Sequence, residues 1–446
     1  VDRLLQLAAL KGIDLFLEST YKEKNRSYIG DYVTSDMFGK KIVGYLSKTL
    51  KLFNACTIPE KKFCLYDKSL IHYVDVRESM LLENVGNAIR MALSLLSTKK
   101  MFTDKLFWNH FMSLFLVKIK DKPLNTKFTD VIIDLINDSD NGLFNMFKIG
   151  ERENDFRDFM KIVCTICFIC VITVDQLKKM IHTEIYAENR EEQYNEILFG
   201  GTIHNKEFME FMISGLHETN RIIKQINKVP EYRTKINAYF ENEINKIDFI
   251  KYASARKNIL NIFGIGSEEV YSGAITQIAQ IVSKIMTLSD SNKHVIIMNM
   301  SDMILTFSDI GMIGMDMYTI SRMLYRIENG ATKVFQYSGN EHIVNINNFF
   351  TNFLSATTKS EVSATMMSPI SPRDIVFSES MKGGYRPGSI SHPTPQMIYN
   401  RCIPCPYYDF LENIFEGVPP MKYYEILNGK RRKNVISGLI STLRDI

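Results

Sequence analysis

Proline and tryptophan are scarce in this chain, 12 and 1 among 446 residues. With so few prolines there are few enforced breaks, and long helices are permitted over most of the length. Charge of one sign is lacking too. Lysine and arginine number 54 against 50 aspartates and glutamates, a net charge of +4. Bulk charge therefore neither recruits nor repels nucleic acid, and local clusters must decide. No apolar run approaches the ~20 residues that cross a bilayer. The longest, 162–174, has 13 residues and predicts a buried core helix rather than a membrane span.

Motifs whose spacing fixes a chemistry are absent as well. There is no phosphate-binding P-loop, no serine nucleophile elbow and no His-Glu-x-x-His. Gly264-Ile265-Gly266 follows a helical segment and lacks the third glycine of a dinucleotide fingerprint. Asp138-Ser139-Asp140-Asn141-Gly142 resembles the start of a calcium loop, but Ile149 stands where the bidentate glutamate is required. The eight histidines are scattered. These absences predict no catalytic site, no metal and no cofactor.

What is present is an ordinary globular balance of 45% hydrophobic and 23% charged residues, enough for a large core. The seven cysteines are odd in number and unevenly spaced, which points to free thiols in a reducing intracellular compartment, cytoplasm or nucleus. The first residues run directly into an amphipathic segment, so no signal peptide is expected. Val1 is open between removal of an initiator methionine and cleavage from a precursor. Abundant Lys, Ile, Asn, Met and Phe suggest coding in an AT-rich genome, a bias shared by large DNA viruses and some parasites.

Apolar residues recur at helical spacing from residue 2 to about 290. Helices are predicted over 2–11, 13–22, 35–55, 77–98, 103–120, 128–138, 152–172, 174–188, 205–228, 231–243, 246–262, 268–288 and 316–328. The clearest is 205–228, with Asn205 as its N-cap and Phe208, Phe211, Met212, Leu216, Ile222, Ile223 and Ile226 on one stripe. Ser267 before Glu268 and Glu269 marks the start of the helix at 268. Strand signal is thin. Residues 332–337 and 342–346 flank Ser338-Gly339-Asn340-Glu341 and predict a β-hairpin over 332–346. Short strands are also expected at 62–66 and 294–298.

The fold class expected is therefore mainly α: a multi-helix body with a small β-hairpin, a long extended arm and a short C-terminal helical module. The regions are 1–150, 151–357, a proline- and glycine-interrupted arm at 358–398, and 399–446.

Four groups of residues carry candidate chemistry. Cys402-Ile403-Pro404-Cys405 has the spacing of a redox pair, but the preceding segment lacks the βαβ context of a thioredoxin unit. With His392 it offers three zinc ligands where a structural site needs four. Cys164, Cys167 and Cys170 lie among Ile, Val and Phe and are expected to pack in a core. Arg221, Lys224, Lys228, Arg256 and Lys257, interleaved with Tyr232, Tyr239 and Tyr252, are candidate phosphate and base contacts. Lys430, Arg431, Arg432 and Lys433 form the densest basic run. The methionines of 294–324 suggest core packing first and a partner surface second.

The expectation is a non-enzymatic structural or assembly protein working through subunit contacts, as a capsid or nucleocapsid component of a virion does. Its partners are other protein subunits in a homo- or hetero-oligomer. The alternatives are a nucleoprotein that binds RNA or DNA through the basic residues, and a thiol-redox enzyme built on Cys402 and Cys405.

Overall fold

The computed structural model describes residues 12–18, 71–97, 105–138, 153–201, 203–213, 220–266, 271–331 and 333–354. The expected helices at 2–11 and 35–55, the strand at 62–66, the arm at 358–398 and the module at 399–446 lie outside these residues. In chain order the described elements are β1 (Asp14–Leu17), β2 (Ile71–Tyr73), α1 (Leu81–Ser97), α2 (Lys105–Ile119), α3 (Phe128–Asn137), α4 (Glu153–Val171) and α5 (Val174–Tyr186). There follow α6 (Arg190–Phe199), α7 (Glu207–Ile213), α8 (Arg221–Ile226), α9 (Arg233–Ile244), α10 (Phe249–Phe263), α11 (Ile275–Met286), α12 (Asp290–Glu328), β3 (Val334–Tyr337) and α13 (Asn340–Asn348). The protein is mainly α-helical, with one small parallel sheet among the described residues.

The chain divides into two compact units, Val76–Arg322 and the combination of Val1–Asp75 with Met323–Ile446. In the first of these, α4 is the central helix and packs against α1, α7, α10 and α11. Phe159, Ile162, Val163, Ile166 and Phe168 on it are all buried. The apolar run 162–174 does not continue as one helix. The chain turns by 100° between α4 and α5. Thr173 makes the new start: its hydroxyl accepts from the Gln176 amide at 3.2 Å, while the Gln176 side chain accepts from the Thr173 amide at 3.0 Å.

The segment 205–228 departs from the single helix expected of it. It holds two helices, α7 and α8, and Asn220 caps the second by accepting from the Ile222 amide at 2.8 Å. Asn205 does not cap α7. Its Oδ1 accepts from the Phe128 amide at 2.6 Å, at the start of α3, and its Nδ2 donates to the Gly273 carbonyl at 2.9 Å. Glu207 completes the α3 cap by accepting from the Thr129 amide at 3.0 Å. Periodicity was satisfied on both sides of the break, because Phe208, Ile222, Ile223 and Ile226 are all buried. The helix expected from 268 begins instead at Ile275. Gly273 precedes it with φ +70, a left-handed conformation that glycine adopts without strain.

Helix α12 replaces the strand expected at 294–298 and absorbs the helix expected at 316–328. Of its methionines, Met300, Met303, Met315 and Met317 are buried, so packing is their main use. Three glycines allow close crossings inside this unit. A Cβ on Gly311 would meet the Glu83 carboxylate at 2.5 Å, one on Gly314 would meet Met80 at 2.6 Å, and one on Gly86 would meet Phe307 at 3.0 Å. Among the described residues α12 is the one helix long and apolar enough by itself to cross a membrane, and half of its most apolar window is buried inside the protein.

The other unit is organised by a three-stranded sheet in the order β2-β1-β3, parallel throughout. Leu15, Phe16 and Leu17 are fully buried, as a central parallel strand requires. This corrects the helix expected over 13–22, because an apolar run of four residues looks alike in either state. The hairpin expected over 332–346 is corrected too. Its first half is strand β3, but the partner of β3 is β1, with Asp14 opposite Val334 and Leu17 opposite Tyr337. Its second half is helix α13. The glycine-containing segment that reads as a hairpin turn is a helix start. There the Gly339 amide donates to the Glu18 carboxylate at 2.6 Å.

Candidate functional site

Three buried clusters and two exposed surfaces concentrate the chemistry of the described residues. The first cluster joins α5, α6 and the start of α1. The Glu184 carboxylate is fully buried and accepts from Arg190 Nη1 at 2.6 Å, from the Tyr194 hydroxyl at 2.6 Å and from the Leu82 amide at 3.2 Å. Arg190 also donates to the Ser79 carbonyl at 2.7 Å. Burial pushes the Glu184 carboxyl above its ordinary range, against the pull of Arg190 and the other donors. Asn220 donates its side-chain amide to the Glu184 carbonyl and so ties α8 to the same knot. These groups are spent on each other and on backbone atoms.

Cys164, Cys167 and Cys170 form the second cluster, on α4. Burial pushes Cys167 up to about 12, opposed by a contact with the Tyr271 hydroxyl. Burial raises Cys164 and Cys170 as well, with the neighbouring Cys167 adding to it. Groups held so far toward the thiol form are poor nucleophiles and poor metal ligands. They pack as small hydrophobes, as their apolar surroundings in the sequence suggest. Cys402 and Cys405 lie outside the described residues.

The third cluster belongs to the sheet. Asp14 Oδ2 accepts from Arg326 Nε at 2.6 Å and lies 3.5 Å from His72 Nε2. The His72 ring stacks on Phe16 with centroids 4.3 Å apart. Farther along β1, Glu18 lies 3.7 Å from His342 Nε2. No sequence motif announces this cluster. Its members come from distant segments: β1 and β2, the end of α12 and the start of α13. No group of three or more metal-ligating side chains is assembled among the described residues.

The basic residues differ in their exposure. Arg221 and Lys224 are exposed on α8, Lys228 is exposed in the turn after it, and Lys257 is exposed on α10. Arg256 turns inward and donates its guanidinium to the Cys170 carbonyl at the end of α4. The Tyr252 hydroxyl donates to the Ile172 carbonyl at 3.1 Å, so α10 closes the C-terminal end of α4 with two side chains. Tyr239 and Tyr252 are buried and their rings offer no face to a base, whereas Tyr232 is half-buried. Lys430, Arg431, Arg432 and Lys433 lie outside the described residues.

The second exposed surface was not flagged by any motif. Helix α2 carries more apolar residues than one buried face takes up, and exposed Asn109, His110 and Ser113 share its outer face with the surplus. Its inner face sets Trp108 5.1 Å from Phe159, Phe111 5.8 Å from Phe156 and Phe115 5.6 Å from Phe128, as ring centroids. Its outer face leaves Leu106 84% exposed and Val117 69%, with Leu116 beside it. Leu124 in the following turn and Ile133 on α3 are more than half exposed as well. Lys118–Asp138 at 3.0 Å and Lys122–Asp134 at 3.7 Å brace α2 against α3. The signal available in the sequence was a helix whose apolar residues exceed what one buried face takes up.

Comparisons with protein families, with curated proteins and with solved structures find no match to this chain.

Proposed function

We propose that this protein is a non-catalytic assembly protein that acts by binding other protein subunits. One observation carries the reading: the α2–α3 hairpin presents bare Leu106, Leu116 and Val117 on a base of buried aromatic rings. Exposed aliphatic side chains on one packed hairpin, set among exposed Asn109, His110 and Ser113, have the mixed character of a protein interface. The polar clusters agree with a scaffold. Glu184, Arg190, Asn205, Glu207, Tyr252 and Arg256 all bind main-chain atoms of other elements. Side chains bound in this way brace helix ends and are not free to act on a substrate. A capsid or nucleocapsid subunit is the concrete form suggested by the composition.

Sedimentation velocity of the purified chain over a concentration series tests the proposal. Species heavier than one chain are expected, growing with concentration and little affected by salt. A chain that stays monomeric throughout overturns it. Monomers that retain RNA or DNA on a filter, with affinity falling steeply as salt rises, would replace it by the nucleoprotein reading on Arg221, Lys224 and Lys228.

A further inference from the structure

Helices α5, α8 and α9 present a surface unlike that of α2. Between Val174 and Ile244 the described residues expose no large hydrophobic side chain. What they expose is positive. From 221 to 235 Arg221, Lys224, Lys228, Arg233 and Lys235 stand against Glu231 alone, and all six are exposed. The net +4 of this stretch equals the net charge of all 446 residues. Lys178 and Lys179 extend it on α5, which packs against α8 and meets α9 where the His182 and Tyr186 rings lie 5.3 and 5.1 Å from that of Phe240. Asp175, Glu188 and Glu241 border the surface and leave its sum positive.

Two local features set this charge apart. A helix start favours acids, because its amides carry partial positive charge. The first turn of α9 instead holds Arg233 and Lys235 and no acid. Exposed Lys206, Lys246 and Lys251 in the same unit each lie within 3.8 Å of a carboxylate. Lys179, Lys224 and Lys235 have no such carboxylate among the described residues.

The chemistry selects the partner. A protein interface has an apolar core, and an amphipathic membrane-surface helix buries apolar side chains in the lipid. This surface offers neither. Single-stranded nucleic acid is held by stacking its bases on aromatic rings, but Tyr239 is buried here and Tyr186 and Tyr232 are half-buried. A duplex turns its phosphates outward and needs only positive charge.

We infer that the α5–α8–α9 surface docks the phosphate backbone of a nucleic-acid duplex without regard to sequence. This goes beyond the assembly reading and is read separately, by retention of nucleic acid and not by sedimentation. The test titrates the full chain against labelled duplex DNA and, in a separate arm, duplex RNA, by fluorescence anisotropy at several salt concentrations. The two arms tell which duplex is preferred. Wild type should bind with affinity falling steeply as salt rises. The double variant Lys224→Gln/Lys235→Gln should keep the circular dichroism of the wild type, bind roughly tenfold more weakly, and show a salt slope shallower by about 0.9 for each lost contact. Glu231→Gln should bind more tightly. No binding of either duplex at low salt overturns the inference, as does a double variant that binds as tightly as wild type. Phosphatidylserine vesicles or polyglutamate bound as tightly as the duplexes would overturn nucleic acid as the partner.

Discussion

Helices α4 and α2 are both rich in phenylalanine and branched aliphatics, and both read in the sequence as elements of a core. Helix α4 packs against four other helices, and its apolar half is buried from Ile162 to Val171 except at half-buried Cys164. Helix α2 packs against α3 and α11 and leaves Leu106, Leu116 and Val117 bare, among exposed Asn109, His110 and Ser113. Composition alone does not separate the two. What separates them is how many helices the surrounding chain brings to each. A helix whose apolar residues spill beyond one face needs a second partner to cover the surplus, and for α2 the described residues supply partners for one face only.

The contrast yields graded expectations. The largest concerns α4. Phe159→Ala empties a fully buried site beneath Trp108 and Phe111, and should lower unfolding free energy by about 3–5 kcal/mol in urea titration. A loss below 1 kcal/mol would mean that α4 is less enclosed than its burial indicates. Next is Asn205→Ala, which strips the cap from α3 and leaves the buried Phe128 amide and Gly273 carbonyl without this partner. A loss of about 1–3 kcal/mol is expected, with faster hydrogen exchange in the first turn of α3. The smallest is Val117→Ser on the outer face of α2. In the isolated chain it should change stability by no more than about 0.5 kcal/mol. A larger effect in dilute solution would show that Val117 packs within its own chain.

Much of the helical body was legible, and the reasons are local. Helices α1 to α5 and α9 to α11 each carry enough turns for an apolar face to repeat, and most fall close to their expected spans, whereas α6, ten residues with only Arg190, Tyr194 and Leu198 buried, was not expected at all. The start of α11, seven residues late, is the exception. The losses come where a long-range partner overrides a local signal. Asn205 has the right chemistry for an N-cap, but the amides it satisfies belong to a helix 77 residues earlier. Residues 342–346 have an acceptable strand pattern. They become helix because β3 already has its partner in β1. The polar seam of Asp14, His72 and Arg326 was illegible for the same reason. The exposed face of α2 was partly legible, since Leu106, Leu116 and Val117 fall outside the stripe formed by Phe107, Phe111 and Phe115. Which stripe would meet solvent was settled only by the arrangement of α3, α4 and α11.

The pairing of Asp14 with Val334 sets an order of events during synthesis. At a translation rate of about 5–20 residues per second, roughly tens of seconds separate the emergence of these two positions. Through that interval Leu15, Phe16 and Leu17 lack the edge that will cover them. A nascent strand in this condition is a template for other chains. Ribosomes stalled anywhere before codon 334 should therefore hold intermediates that are captured by holdase chaperones through residues 14–17, and completed chains should escape them.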